Sequence, residues 1–212
     1  MNIAPVSRTF GLDRGTPIDR WYIERFLAEH QELIRGSVLE VGDATYTRRF
    51  GATRVTASHV LHAEAGNPAA TVVGDLATGA GLPTAAYDAV ILTQVLPFIY
   101  DLHGVVRTLH RCLRPGGVAL LTVSGICQIS RYDMDRWGDF WRFTDRSLAR
   151  LLGEAFPADV VTVSTYGNVR VASSFLYGLA SEELEVAELL HNDPDYQVMI
   201  TAVVVKPGSP TG

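Results

Sequence analysis

Ser37-Val38-Leu39-Glu40-Val41-Gly42-Asp43-Ala44-Thr45-Tyr46 is an apolar run that ends in an acid and then a glycine, where a strand should become a loop. A buried strand followed by a Glu-x-Gly turn is where many α/β folds bind a nucleoside. Dinucleotide-binding turns place two further glycines after the first so that backbone can approach the ligand closely. Here the loop after Gly42 reads Asp43-Ala44-Thr45-Tyr46-Thr47 instead. That spelling weakens a dinucleotide reading and leaves side chains to line the turn.

On the N-terminal side of this run, Thr16-Pro17-Ile18-Asp19 has the form of an N-cap, a proline at the first helical position and an acid at the third. Ile23, Phe26, Leu27, His30 and Ile34 then recur at helical spacing, and Gly36 stands where a left-handed C-terminal residue is expected. On the C-terminal side the pattern predicts a short helix over 46–50 and brief apolar strands over 55–57 and 70–73. A strand over 87–93 and a helix over 102–113 follow, and Arg114-Pro115-Gly116-Gly117 reads as a stop before a strand over 118–123. Thr144 caps a helix to about 156, a strand covers 160–165, one long helical stretch covers 171–190, and 196–205 is the last strand.

Alternating strands and helices predict an α/β domain whose parallel sheet is covered on both faces. Ligands of such sheets bind beyond the carboxyl ends of the strands, near the point where strand order reverses. The loops after Val41, Ala57, Val73, Thr93 and Val123 are therefore expected to be neighbours. The chain has 212 residues, 47% apolar and 19% charged, which suits one ordinary domain. A net charge of -5, a single lysine (Lys206) and no basic run argue against nucleic acid as a partner. Cys112 and Cys127 lie in apolar surroundings and read as reduced thiols. With no export signal and no long apolar span, a cytoplasmic protein with no membrane partner is expected.

The segments VLEVG, GDL, YDAVILTQVL and LHRCLRPGGVALLTV stand in the order and spacing of class I S-adenosylmethionine-dependent methyltransferases, and roughly residues 36–123 resemble that family. PIDRWYIERFL and ISRYDMDRWGDFWRFT are similar to a smaller bacterial group tied to sugar and polysaccharide biosynthesis, the sugar 1-O-methyltransferases of methylmannose polysaccharides. The resemblance implies a Rossmann-like, seven-stranded, mostly parallel sheet with a reversed final strand. It places a methyltransferase domain over 36–207, a lid or cap helix within 1–35 and a flexible tail over 208–212. S-adenosyl-L-methionine is the implied cofactor, with a divalent cation such as Mg admissible.

The family pattern places Glu40 and Gly42 beside the amino-acid part of the cofactor, although Glu40 could equally satisfy loop amides. Asp43, Thr45 and Thr47 replace glycines, and Asp43, Tyr46 and Thr47 are expected to reach the cofactor through side chains. The second strand should end in an acid that grips the ribose, but it offers Ala57-Ser58-His59, so Ser58 or His59 would have to serve. Asp75 and Leu76 match the adenine position, and a turn-forming role for Asp75 is the alternative. Thr93 and Gln94 would lie near the reactive methyl. Tyr22 in the N-terminal helix would touch the cofactor from a lid, or else pack in the core.

Arg131 to Phe143 is rich in both charges and aromatics, which suits a polyhydroxylated acceptor. Arg131, Tyr132, Asp133, Trp137, Trp141 and Tyr166 are the candidate substrate contacts, unless the segment is simply an amphipathic helix. Methyl transfer to oxygen needs a group that removes a proton, and Asp139, Asp135 and His191 are the candidates. The expected function is methylation of a saccharide hydroxyl, such as a mannoside, by a chain that could work as a homodimer. A silent binding domain of the same fold, or an enzyme for another small hydroxyl compound, are the alternatives.

Overall fold

The run at 36–41 does form a strand, and it lies in the middle of a seven-stranded sheet. The computed structural model describes residues 3–208. The tail expected over 208–212 lies, apart from Gly208, outside them. Strands β1 (Gly36–Val41), β2 (Val55–His62), β3 (Val72–Val73), β4 (Tyr87–Thr93), β5 (Leu113–Ser124), β6 (Val161–Tyr166) and β7 (Met199–Val205) stand in the order β3-β2-β1-β4-β5-β7-β6. β1 to β5 are parallel, while β7 runs antiparallel to both of its neighbours, β5 and β6. The sheet is thus Rossmann-like, with the reversed last strand.

Successive residues of the central strands face opposite sides. Val38, Ala89, Ile91 and Leu120 pack toward α1 (Ile18–Glu29) and α5 (Val169–Tyr177). Leu39, Val90, Leu92, Ala119 and Leu121 pack toward α2 (Leu102–Cys112) and α4 (Asp145–Leu152). Burying each such side chain contributes about 1.5–3 kcal/mol, so both helical layers are held by the same strands. Two shorter helices, α3 (Arg131–Met134) and α6 (Val186–Leu190), sit in the connections.

Several boundaries differ from the sequence pattern, each for a tertiary reason. Pro17, not Thr16, is the N-cap of α1, because the Thr16 hydroxyl donates to Glu182 at 2.7 Å instead. β2 extends to His62, since its register against β1 runs on from Leu39↔His59 to Val41↔Leu61. Arg114 to Gly117 is not a stop but the start of β5. There the Gly116 amide donates to Lys206 O and the Lys206 amide to Gly117 O, both at 2.8 Å. The stretch 171–190 is split, because Gly178 closes α5 in a left-handed conformation (φ 78) and Ala180 then bridges to Pro17.

Candidate active site

Strand order reverses between β1 and β4, so the crevice beyond their carboxyl ends is the expected binding place. Glu40 is only 3% exposed there, and its two oxygens accept the amides of Tyr46 (3.1 Å) and Thr47 (2.7 Å). Burial raises the Glu40 pKa while these amides oppose the rise. Glu40 therefore holds the turn after β1 in place. Gly42 occupies the left-handed region (φ 87), donates to Leu61 O at 2.9 Å and accepts from Asn67 Nδ2 at 2.8 Å. Asp43 Oδ1 accepts the Thr45 amide at 2.7 Å, an Asx turn of the kind a short carboxylate favours.

Three cavities meet in this crevice. The first, about 340 Å³, is walled by Gly42, Leu61, His62, Asp75, Leu76, Phe98, Ile99 and Trp137. The second, also about 340 Å³, is lined by Asp19, Arg20, Glu40, Asp43 and Tyr46. The third, about 130 Å³, is lined by Phe10, Asp19, Ser124, Ser130, Asp133, Asp139 and Arg142. Gln94 borders all three. Its φ of 55 is a conformation that costs a non-glycine residue free energy, and its side chain is fixed by Ser124 Oγ at 2.7 Å and Met199 Sδ at 3.2 Å. A larger hollow of about 680 Å³ between α2 and α4, lined by Tyr100, His103, Arg150 and Glu154, contains none of the β1 and β4 residues.

Glu40, Gly42, Asp43, Tyr46, Asp75, Leu76, Thr93, Gln94, Asp133, Trp137 and Asp139 all line these cavities. Asp75 also ties its own turn, accepting from the Ala77 amide (2.7 Å) and the Thr78 hydroxyl (2.9 Å). The other candidates lie elsewhere. Thr47 is buried beneath the turn and 1% exposed. Tyr22 is a core residue whose hydroxyl donates to Leu189 O, and Tyr166 packs on it with ring centroids 5.5 Å apart. Ser58 and His59 fall in mid-strand opposite Val38 and Leu39, four and three residues short of the end of β2. His62 takes the strand-end position instead.

In the segment after β5, Trp141 is held by Ile99 O at 3.1 Å and faces the hollow by α2. Tyr132 is exposed with the Arg136 guanidinium 3.5 Å above its ring. Arg131 and Asp135 are exposed and face each other at 3.9 Å. His191 is exposed on the loop before β7, outside all three cavities. Because Asp133, Asp135 and Asp139 turn to different partners, they do not converge on a metal. Among the described residues no group of three or more His, Cys, Asp or Glu could hold one, so the divalent cation is not supported.

Asp139 is buried, and burial pushes its pKa up, but Arg142 (2.5 and 2.9 Å) and the Ser130 amide (3.0 Å) outweigh this and hold it below the ordinary carboxylate value. Asp19 is the reverse case. Desolvation raises its pKa to about 6 against the Arg20 amide, which donates to Oδ1 at 2.7 Å, the Arg20 charge and its own amide. Sequence pattern assigned Asp19 to helix capping and gave no sign that it faces a cavity. Phe10, His62, Asn67, Ser124 and Arg142 were missed likewise. For His62 alone a signal existed, the apolar spacing Val55, Val60, Leu61 that carries the strand past residue 57.

The Asp19 environment makes a stability prediction. The folded chain binds a proton at Asp19 near pH 6 that the unfolded chain releases near pH 4, so ionised Asp19 destabilises the fold above pH 6. Asp19→Asn should therefore stabilise the protein by about 2 kcal/mol at pH 7.5, raising the thermal midpoint by about 4–8 °C. The gain should vanish by about pH 4, where both states are protonated. Thermal unfolding of both proteins at the two pH values checks this, and an equal gain at both would contradict it.

Residues 42–121 match the family model described as a methyltransferase domain. No curated protein matches the chain. Among solved structures, phosphoethanolamine N-methyltransferase 2 of Haemonchus contortus, in complex with S-adenosyl-L-methionine, is similar with a TM-score of 0.56 at 13% identity. That match covers 97% of this chain and 54% of the other, so this chain spans about half the length of that enzyme. The cyclase SpnF (TM-score 0.59, 15% identity, 98% and 89% covered) and the N-methyltransferase NodS from Bradyrhizobium japonicum WM9 (0.53, 14%, 90% and 97%) are similar too. At such identities the likeness establishes the fold. The chain therefore carries a methyltransferase-domain match over residues 42–121 on the Rossmann-like fold of S-adenosylmethionine-dependent methyltransferases.

Proposed function

We propose that this protein binds S-adenosyl-L-methionine across the first two cavities and methylates a hydroxyl of a small polar acceptor, a saccharide, held in the third. The observation that carries the reading is the meeting of all three cavities at Gln94. The donor set fits the cofactor. Asp19, Glu40 and Asp43 give the second cavity the anionic character that an ammonium and a sulfonium require. Leu76, Phe98 and Ile99 with the Asp75 turn offer the first cavity the apolar walls and an acid that suit a purine. When bound, the sulfonium supplies an electrophilic methyl group. The chain's own part is to aim the acceptor oxygen at it and to exclude water, for which Phe10 and Phe98 border the third cavity.

Ser124, Ser130, Asp133, Asp139 and Arg142 offer the mix of donors and acceptors that hydroxyl groups need. A second reading has its own observation. Asp19, Asp133 and Asp139 outnumber Arg142 in that cavity, which would also suit a cationic amine. The similar structure SpnF is named a cyclase, so binding and transfer are separate measurements. Calorimetry should give an S-adenosylhomocysteine dissociation constant in the range of about 1 μM to 1 mM typical of enzyme substrates, with no heat from NAD. Transfer of labelled methyl to methyl mannoside but not to phosphoethanolamine supports the hydroxyl reading, and the opposite result selects the amine. Absence of S-adenosylhomocysteine binding would refute the cofactor reading.

A further inference from the structure

We infer that Asp19, at the first turn of α1, is the catalytic residue that takes the acceptor's proton. This rests on the proposed methyl-transfer reading and adds to it the identity of the proton acceptor. Asp19 is the one carboxylate among the described residues that lines both the second and the third cavity. Its partner residues at that boundary, Phe10 and Gln94, offer no charge. Its Oδ1 is anchored by the Arg20 amide, and no hydrogen bond among the described residues reaches Oδ2.

The other carboxylates are either fully engaged, as Glu40 and Asp139 are, or miss the junction of the second and third cavities, as Asp43 and Asp133 do. Glu40 spends both oxygens on the Tyr46 and Thr47 amides. Asp43 borders only the second cavity and closes its own turn. Asp133 Oδ2 accepts the Ser130 hydroxyl at 2.5 Å, and Asp139 is clamped by Arg142 and the Ser130 amide. A useful proton acceptor has an affinity close to the working pH and must reach the donor oxygen. Desolvation gives Asp19 such an affinity, at about 6, and its position at the junction supplies the reach. In the step, a lone pair of the acceptor oxygen would form the new O–CH₃ bond as the C–S electron pair leaves with sulfur, and the O–H electron pair stays on oxygen as its proton moves to Asp19 and then to solvent.

The charged and titratable groups facing Asp19 are Arg20 on its own helix, Glu40, Asp43 and Tyr46 from β1 and its turn, and Cys127, Asp133, Asp139 and Arg142 from the segment after β5. The test exploits the single charge by which S-adenosyl-L-methionine differs from S-adenosylhomocysteine. Calorimetry at pH 6 in two buffers of unlike ionisation enthalpy counts the protons exchanged on binding each probe. The sulfonium should drive about half a proton from Asp19, and the neutral thioether none. In Asp19→Asn this difference should disappear while S-adenosylhomocysteine, which lacks the sulfonium, is still bound.

With methyl mannoside as acceptor, Asp19→Asn should lower kcat about 10²–10⁴-fold, and Asp19→Glu should restore part of it. Equal proton counts for the two probes in the natural protein, a difference that survives in Asp19→Asn, or unchanged turnover of that variant would each overturn the inference. If the natural protein binds neither probe, the methyl-transfer reading itself fails and this inference with it. If it binds both but leaves methyl mannoside unmethylated, only the saccharide assignment fails, and the proton count still decides Asp19.

Discussion

Glu40→Ala should lower the thermal midpoint by about 6–12 °C and weaken S-adenosylhomocysteine binding at least about 100-fold. The Glu40 carboxylate is buried and is the acceptor for two consecutive amides of the turn after β1. Alanine would leave both N–H groups buried without a partner, at about 1–3 kcal/mol each, and a small void beside them. The turn it releases carries Asp43 and Tyr46, which line the second cavity, so binding should fall with stability. Glu40→Gln keeps one acceptor oxygen and turns an amide group against the second N–H, so about half the loss is expected. Unfolding curves and calorimetry on both variants check this. A Glu40→Ala protein that melts with the natural one would show that the turn does not depend on this carboxylate.

Asp139→Ala should cost about 2–3 kcal/mol at pH 7 and leave S-adenosylhomocysteine binding unchanged, because Asp139 borders only the third cavity. Removing the carboxylate strips Arg142, whose side chain is 30% exposed, of its counter-charge and leaves the Ser130 amide unpaired. The pH dependence has a definite sign. Burial favours the neutral acid, but Arg142 and the Ser130 amide outweigh it, so the Asp139 pKa lies below its ordinary value in the folded chain. Its contribution is therefore complete above that ordinary value and is lost as pH falls through the lower folded-state value. The gap in stability between the natural protein and Asp139→Ala should hold from pH 8 to about 5 and close only in stronger acid. Urea midpoints across that range test it, and a gap that closes near neutrality would contradict the pairing with Arg142. A carboxyl so firmly ionised and clamped is also a poor proton acceptor, which is why the base role moves from Asp139 to Asp19.

The most legible parts of the fold were those whose signal is local. β4 appears at 87–93 as the pattern predicts, because Tyr87 and the buried run Ala89 to Leu92 supply an apolar signal on both faces. Thr144 caps α4 as expected, since the capping box with Ser147 is complete within four residues. Gly36 adopts the left-handed conformation expected of it (φ 68). Asp43 and Tyr46 do face a cavity, whereas Thr47 lies beneath it, because Glu40 draws its amide inward.

The errors fall where a distant partner decides. The aromatic and charged run over 131–143 looked like one acceptor platform, yet Trp141 is pinned to Ile99 O and Arg136 covers Tyr132. The ribose position was placed at residues 58–59 because apolar content alone ended the strand at 57, whereas pairing with β1 carries it to His62.

Sequence alone determined the α/β class and the position of the turn after β1, because hydrophobic period and turn chemistry act between residues close in the chain, while the reversed last strand was implied by the family resemblance. Tertiary structure alone decided which carboxylates are free. Asp19, Asp133 and Asp139 are equivalent as letters, but Arg142 and Ser130 claim two of them and α1 carries the third to the junction of two cavities. A carboxylate's proton affinity is set by what desolvates and what hydrogen-bonds it; Arg142 and Ser130 act on Asp139 from nearby in the chain, whereas Asp19 shares its cavity with Gln128 and Asp139, more than one hundred residues away.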